Sequence, residues 1–233
     1  MRTSANPAKR SLKPVRLKLT HTKQYDGYTC GFCACSAVYR HYKMNIRTWE
    51  LRKRLGVDNV VPPILPVRFR EWANATFDGA RGTLPFDVFA TLHRHGFDTE
   101  WTTAPYAKVR VDLHKHLLKG HPALAIWGHK LEHWIAVEGI DDNGVWVVDS
   151  AEGYSFSQAG TSSAHRGRIP HEEFGAYVTG MILVKRLKRS RPRLMTPPMY
   201  LEQYRRAAVF GAGCLGKAIP RQIVALKANL LMR

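Results

Sequence analysis

No uninterrupted apolar run in the 233-residue sequence approaches the roughly 18 residues that a membrane-spanning helix requires. The first twenty residues, Met1 to Thr20, are basic and lack the apolar stretch of a secretory signal. Cysteine is sparse, with four residues, three of them crowded at Cys30, Cys33 and Cys35. That spacing does not resemble a disulfide framework, so a reducing compartment, the cytoplasm, is expected. Acid is scarce as well: 18 Asp+Glu stand against 36 Lys+Arg, a formal net charge of +18. With 45% apolar and 23% charged residues, the remaining composition is that of an ordinary globular protein. A membrane spanner, a collagen-like fibre, a largely disordered chain and a disulfide mini-protein are all excluded.

The positive charge is unevenly placed. Residues 1–23 hold seven Lys/Arg and no acid, and residues 187–233 hold ten Lys/Arg against Glu202 alone. Between them, residues 24–186 are nearly neutral, with 19 basic and 17 acidic residues. This divides the chain into a basic N-terminal arm (1–23), a central domain (24–186) and a basic, helical C-terminal tail (187–233). Basic extensions of this kind attract polyanions, chiefly nucleic acid but also an acidic protein partner, with a strongly salt-dependent affinity. They can equally be solvated, solubilising ends with no fixed partner.

Along the central block the hydrophobic period changes once. Phe32, Cys35, Ala37, Val38, Tyr39 and Tyr42 give an apolar face to a helix over 31–43. Further helices are expected at 48–55, from Pro85 to Gly96, and over 111–118 before Gly120. The stretch 57–82, with Pro62, Pro63 and Pro66, reads as irregular. Then come short apolar or alternating runs at 123–127, 134–140 and 145–148, with a closing strand at 181–184. Asp141-Asp142-Asn143-Gly144 is a strong hairpin signal. Helices followed by an antiparallel meander make an α+β fold. In the tail, helices are expected at about 199–209 and 221–231.

Two segments carry chemistry. In the first, Gln24-Tyr-Asp-Gly-Tyr-Thr-Cys30-Gly31 opens directly into a helix. A cysteine there meets unpaired backbone N–H groups and the positive end of the helix dipole, both of which favour thiolate. The same N–H groups face the point where an oxyanion forms during attack on a carbonyl, and the Gln24 amide can supply a second donor. In the second segment, His133 begins one strand and Asp149 ends the next, sixteen residues later. A nucleophilic cysteine needs an imidazole as proton partner and a carboxylate to orient that imidazole. A plain ladder with a three-residue turn would set Asp149 opposite Val137, on the face of His133 but four residues along. Contact therefore requires a bulge or twist of the hairpin.

Gln-x5-Cys-Gly entering a helix, a later Gly-x-Leu-Pro helix, and His-Trp followed by Gly-Ile-Asp and an aspartate resemble the papain-like cysteine peptidases of the C39 type, the double-glycine leader peptidases and their stand-alone relatives. The resemblance spans about 24–186. It implies a papain-like fold with helices packed on an antiparallel sheet. It also implies Gln24 in the oxyanion hole, Cys30 as nucleophile, His133 as general base and Asp149 orienting it. Ser150 departs from the family, which usually has Pro there. A peptide or protein substrate, cleaved at a peptide or isopeptide bond, would follow, with no cofactor and no metal. The competing expectation is a catalytically idle papain-like scaffold in a nucleoprotein assembly, gripping nucleic acid through its basic ends.

Other features point to structure. Cys33 and Cys35 follow on the helix and read as core packing, and Cys30-x2-Cys33-x-Cys35 lacks a second ligand pair for a metal. Gly211-x4-Gly216-Lys217 has the spacing of a phosphate loop, but Ala218 stands where a Ser or Thr should hold Mg²⁺.

Overall fold

Strands that alternate in side-chain direction have two faces to bury, and helices with one apolar stripe can cover only one face each. The computed structural model, which describes residues 12–26, 28–57, 68, 83–128, 133–151, 165–187, 205, 206, 208–214, 216 and 217, meets this with helices on both sides of one sheet. Among the described residues the strands are β1 (Val15–Arg16), β2 (Phe97–Thr102), β3 (Ala123–Trp127), β4 (His133–Ile140), β5 (Gly144–Val148), β6 (Arg166–Pro170) and β7 (Val178–Arg186). Their order is β2-β7-β3-β4-β5-β6, every pair antiparallel. β1 pairs with the end of β4, Val15 opposite Ile140 and Arg16 opposite Gly139, beyond the point where β3 stops at Val137. The expected meander is β3 to β5; β6 extends it, and β7, the expected closing strand, returns to the far side of β3.

On one face lie α1 (Cys30–His41), α2 (Thr48–Arg54) and α3 (Pro85–Arg94). Nine successive residues of α1, Gly31 to Tyr39, are buried, so this helix is central rather than amphipathic. It packs with Leu124, Ile126, Trp134, Ala136, Val148, Ile182 and Val184 of the sheet. The opposite strand faces, among them Ala125, Trp127, Ile135, Val137, Val147 and Met181, are covered by α4 (Tyr106–Leu118) and α5 (His171–Tyr177) through Leu113, Leu117 and Phe174. α3 and α4 end at Gly96 and Gly120 as expected, with left-handed φ of 79° and 80° that favour glycine.

Several elements differ from expectation. β2 was hidden behind the end of a helix: Phe97 and Trp101 point inward while Asp98 and Glu100 face out, a six-residue edge strand of weak pattern. α4 begins five residues early, at Tyr106, because that side chain is held by the Phe174 ring 5.0 Å away and by His171 Nδ1 at 2.8 Å. β6 and α5 had no expectation. The N-terminal stretch, expected as an extended arm, includes β1, and Leu19 is fully buried. In the tail, described helical residues continue past 209 through Gly211 and Gly213 to Lys217. Packing drives this, since Phe210 and Cys214 dock on Gly180, where an added Cβ would lie 2.4 Å from Cys214 Sγ. The expected 221–231 helix and most of the irregular 57–82 stretch lie outside the described residues.

Gly139 lets β1 approach. A Cβ there would sit 2.5 Å from the Val15 carbonyl oxygen and 3.0 Å from Arg16 Cα, both backbone. Gly139→Ala is expected to lower unfolding free energy by about 1–3 kcal/mol. Urea denaturation of the two proteins measures this, and an unchanged midpoint would contradict the close approach.

Candidate active site

The turn before α1 is built on Asp26. Its Oδ1 accepts from the Tyr28 and Thr29 N–H groups at 3.1 and 2.8 Å and from Thr29 Oγ1 at 2.6 Å. The chain is thereby folded back so that Cys30 begins the helix, the first helical bond running from Cys33 N–H to the Thr29 carbonyl at 3.0 Å. Gly31 follows because Thr83 lies against it: an added Cβ would fall 2.5 Å from Thr83 Cβ. Trp134 Nε1 donates to the Thr83 carbonyl at 2.9 Å, pinning that segment beside the start of α1.

His133 and Asp149 come together through two small changes of register. Asp141 N–H donates to the Gly144 carbonyl at 3.0 Å and Ile140 pairs with Val145, so the turn is Asp142-Asn143, one residue tighter than expected. A bulge at Glu138 then shifts the ladder again, so that Val137 pairs with Val147 and Ala136 with Val148. Continued one step, this register sets Asp149 across from Ile135 instead of Val137, one same-face step from His133. Two single shifts add up to one side-chain period, so the face is kept and the distance closes. His133 Nε2 meets Asp149 Oδ1 at 2.6 Å, with Asp149 fully buried and His133 nearly so. The carboxylate is fixed from behind, since Asp149 N–H donates to the His165 carbonyl at 2.9 Å and Ala151 N–H donates to Asp149 Oδ1 at 2.8 Å.

Burial alone would disfavour a charged His133. Hydrogen bonds to Asp149 and Cys30, and the charges of both, outweigh it and push the imidazole up to about 9. The contact with Cys30 joins the first segment to the second. Since Nε2 is taken by Asp149, Nδ1 is the nitrogen left for the thiol. Among the crowded cysteines, burial pushes Cys33 up to about 12 and pushes Cys35 up as well, which leaves both as thiols. Cys30 is only partly buried, and Cys214 is buried in the tail contact.

Gln24 lies beside this group. Its N–H donates to the Ser150 carbonyl and Ser150 Oγ donates to Gln24 Oε1, both at 3.0 Å. Its Nε2 donates to the Asp26 carbonyl. All four residues expected at the site are therefore gathered: Asp149 on His133, Cys30 acting on the same imidazole, and Gln24 tied to the residue after Asp149. Ser150, in sequence only a departure from pattern, is the link between Gln24 and the Asp149 end of β5. Asp26 and Thr83 were not foreseen, since short-range turn bonds and a contact across the fold leave no periodic signal. Among the described residues, no group of three or more His, Cys, Asp or Glu is placed to hold a metal. No described helix is long and apolar enough to cross a membrane.

No protein-family model matches the sequence, and no curated protein is similar to it. Solved structures do match. The double-glycine-motif protease of an AMS/PCAT transporter, in complex with the leader peptide, aligns at a TM-score of 0.50 with 15% identity, covering 76% of this chain and 98% of that one. A protein described as a C39-like peptidase from Bacillus anthracis aligns at 0.49 with 15% identity, covering 76% and 100%. The peptidase domain of Streptococcus ComA aligns at 0.47 with 17% identity, covering 72% and 99%. The chain has the α+β, papain-like fold of C39 peptidase domains.

The electrostatics predict opposite behaviour for two histidines. Burial pushes His116 down to about 4, whereas His133 is raised to about 9, so near neutral pH the first is neutral and the second charged. Asp149→Asn removes the largest raising influence and leaves burial, so the His133 titration is expected to fall. Imidazole NMR signals followed against pH in the wild type and in Asp149→Asn would show this. A His133 that titrates below an ordinary histidine in the wild type would contradict it.

Proposed function

We propose that the chain is a cysteine peptidase of the C39-like type, with Cys30 as nucleophile, His133 as its proton partner, Asp149 orienting His133 and Gln24 in the oxyanion hole. The observation that carries this is the buried 2.6 Å contact of His133 Nε2 with Asp149 Oδ1, with the same imidazole bonded to Cys30 at the start of α1. The chemistry is acyl transfer. Cys30 Sγ, as thiolate, attacks a substrate carbonyl carbon and the carbonyl oxygen gains the charge. The Cys30 backbone N–H, free at the helix start, and Gln24 Nε2 donate to that oxygen. Gln24 is poised for this because Ser150 Oγ holds its Oε1 and so fixes the direction of Nε2, whose second N–H is not needed by Asp26.

Collapse of the tetrahedral intermediate breaks the C–N bond, and His133 delivers a proton from Nδ1 to the leaving amine. Neutral His133 then takes a proton from water as it attacks the thioester, and the acid product leaves with Cys30 restored. Throughout, Asp149 keeps the ring oriented and offsets its charge, as a fully buried carboxylate with a fixed partner can. The leader peptide bound to the structurally similar double-glycine-motif protease supports a peptide as substrate here. A compartment that keeps four free cysteines reduced suits a thiolate enzyme. For the basic ends, charge supports a polyanionic partner such as nucleic acid.

Limiting iodoacetamide at about pH 6, with modified cysteines mapped by mass spectrometry, tests the proton partnership directly. Cys30 is expected to react first, and His133→Ala to slow it by roughly 100-fold, because the imidazole that takes up the thiol proton is then gone. Cys30→Ala is expected to abolish cleavage of any peptide the wild type cuts. If Cys30 reacts no faster than Cys214, or only above about pH 8, the peptidase reading falls and the idle scaffold replaces it.

A further inference from the structure

The bulge that brings Asp149 to His133 is formed by Glu138, a residue with no part in the acyl-transfer steps. Its carboxylate is 0% exposed, where an unpaired charge would be strongly disfavoured. Oε1 meets Arg16 Nε of β1 at 2.9 Å and Arg166 Nε of β6 at 3.1 Å, and Oε2 accepts from Leu19 N–H at 3.2 Å. Its backbone carbonyl accepts from Leu17 N–H at 2.6 Å. The Arg16 contact is a hydrogen bond and the Arg166 Nε contact an ion pair, while Arg166 Nη2 donates to the Leu19 carbonyl.

The positions of these partners matter. β5 lies between β4 and β6, and Arg166 is paired with Val148, the residue before Asp149. The Glu138–Arg166 pair therefore spans β5 at its Asp149 end. His165, beside Arg166, supplies the carbonyl that holds the Asp149 N–H. Arg16 is held from its other side by the Trp146 ring of β5, 3.9 Å from its guanidinium carbon. We propose that Glu138 is a positioning residue for the His133–Asp149 pair: with Arg166 it clamps the end of β5 between β4 and β6, and with Arg16 it ties that clamp to β1. The consequence for Cys30 rests on the peptidase reading above, whereas the consequence for His133 does not.

Other charges face this cluster. His21 and His165 stack at 3.9 Å between ring centroids, and Arg40 and Asp149 also act on His21. Burial, then His165 and Arg166, hold His21 below the usual histidine range, so near neutral pH it adds no charge beside Arg166. The clamp is then one buried carboxylate between two half-exposed guanidinium groups.

Glu138→Gln keeps the shape and an acceptor for Leu19 but removes the charge that holds both arginines. Full-length wild type, Glu138→Gln and Asp149→Asn are compared by two readouts: the His133 imidazole titration by NMR, and the rate of Cys30 alkylation across pH 5–9. In folded Glu138→Gln, judged by circular dichroism, the His133 titration is expected to move down toward that of Asp149→Asn. Cys30 alkylation at about pH 6 is expected to fall roughly tenfold, the change that one unit in a pKa makes. A purely structural role would lower the unfolding midpoint and leave the His133 titration in place, and that result overturns the proposal. If Glu138→Gln does not fold, Arg166→Gln, at a half-exposed position, is judged by the same criterion. A His133 that shifts in the variant while wild-type Cys30 shows no enhanced reactivity would uphold the positioning role and sink the peptidase reading.

Discussion

The register of β4 against β5 is the constraint from which the rest of the site follows. Strand side chains alternate, so a slip of one residue would turn His133 and Asp149 to opposite faces, and a slip of two moves one past the other on the same face. The tight Asp142-Asn143 turn and the Glu138 bulge supply one step each. The same bulge changes the parity of β4 beyond it: Ile135 and Val137 lie in the α4-side core, and so does Ile140, three residues after Val137. One irregularity thus serves the core and the candidate site together.

Two of the buried carboxylates are arranged around that bulge. Asp149 and Glu138 are both fully buried, and each is met by a cation or an imidazole and by backbone N–H groups. Such pairs contribute little net stability compared with an apolar core, but removing one partner is costly because the other charge stays buried. The arrangement therefore fixes geometry more than it adds to the free energy of folding. Around it, the two apolar layers on either face of the sheet supply the stabilisation.

Much of the site was legible in the sequence because its residues stand at element boundaries. Cys30 starts a helix, His133 starts a strand and Asp149 directly follows one, and the helix stops at Gly96 and Gly120 and the Asp-Asn-Gly turn are written in local chemistry. What was not legible depends on contacts distant in sequence. β1 reads as part of a basic arm because Lys13, Arg16 and Lys18 dominate the stretch around it, yet Arg16 is there to meet Glu138 and Leu19 to be buried. Neither β6 nor α5 has a period long enough to stand out. The tail helix runs through two glycines that would argue against it, because Gly180 makes room for Phe210 and Cys214. The distance objection to Asp149 was sound for a regular ladder; the turn and the bulge answered it.

The attachment of β1 to β4 also bears on when the molecule becomes complete. Arg16 and Glu138 are 122 residues apart in sequence, and Leu19 and Glu138 are 119 apart. Contacts so distant close a long loop, whose entropic cost must be met before they return anything, and they delay folding. The segment that carries β1 leaves the ribosome well before its seat on the sheet exists, since β4, β5 and β6 follow it in the chain. During synthesis α1 and Cys30 precede His133 by more than a hundred residues. On the peptidase reading proposed above, the Cys30 thiol waits without its proton partner until the centre of the chain has been made and the β1 segment has come back to meet it.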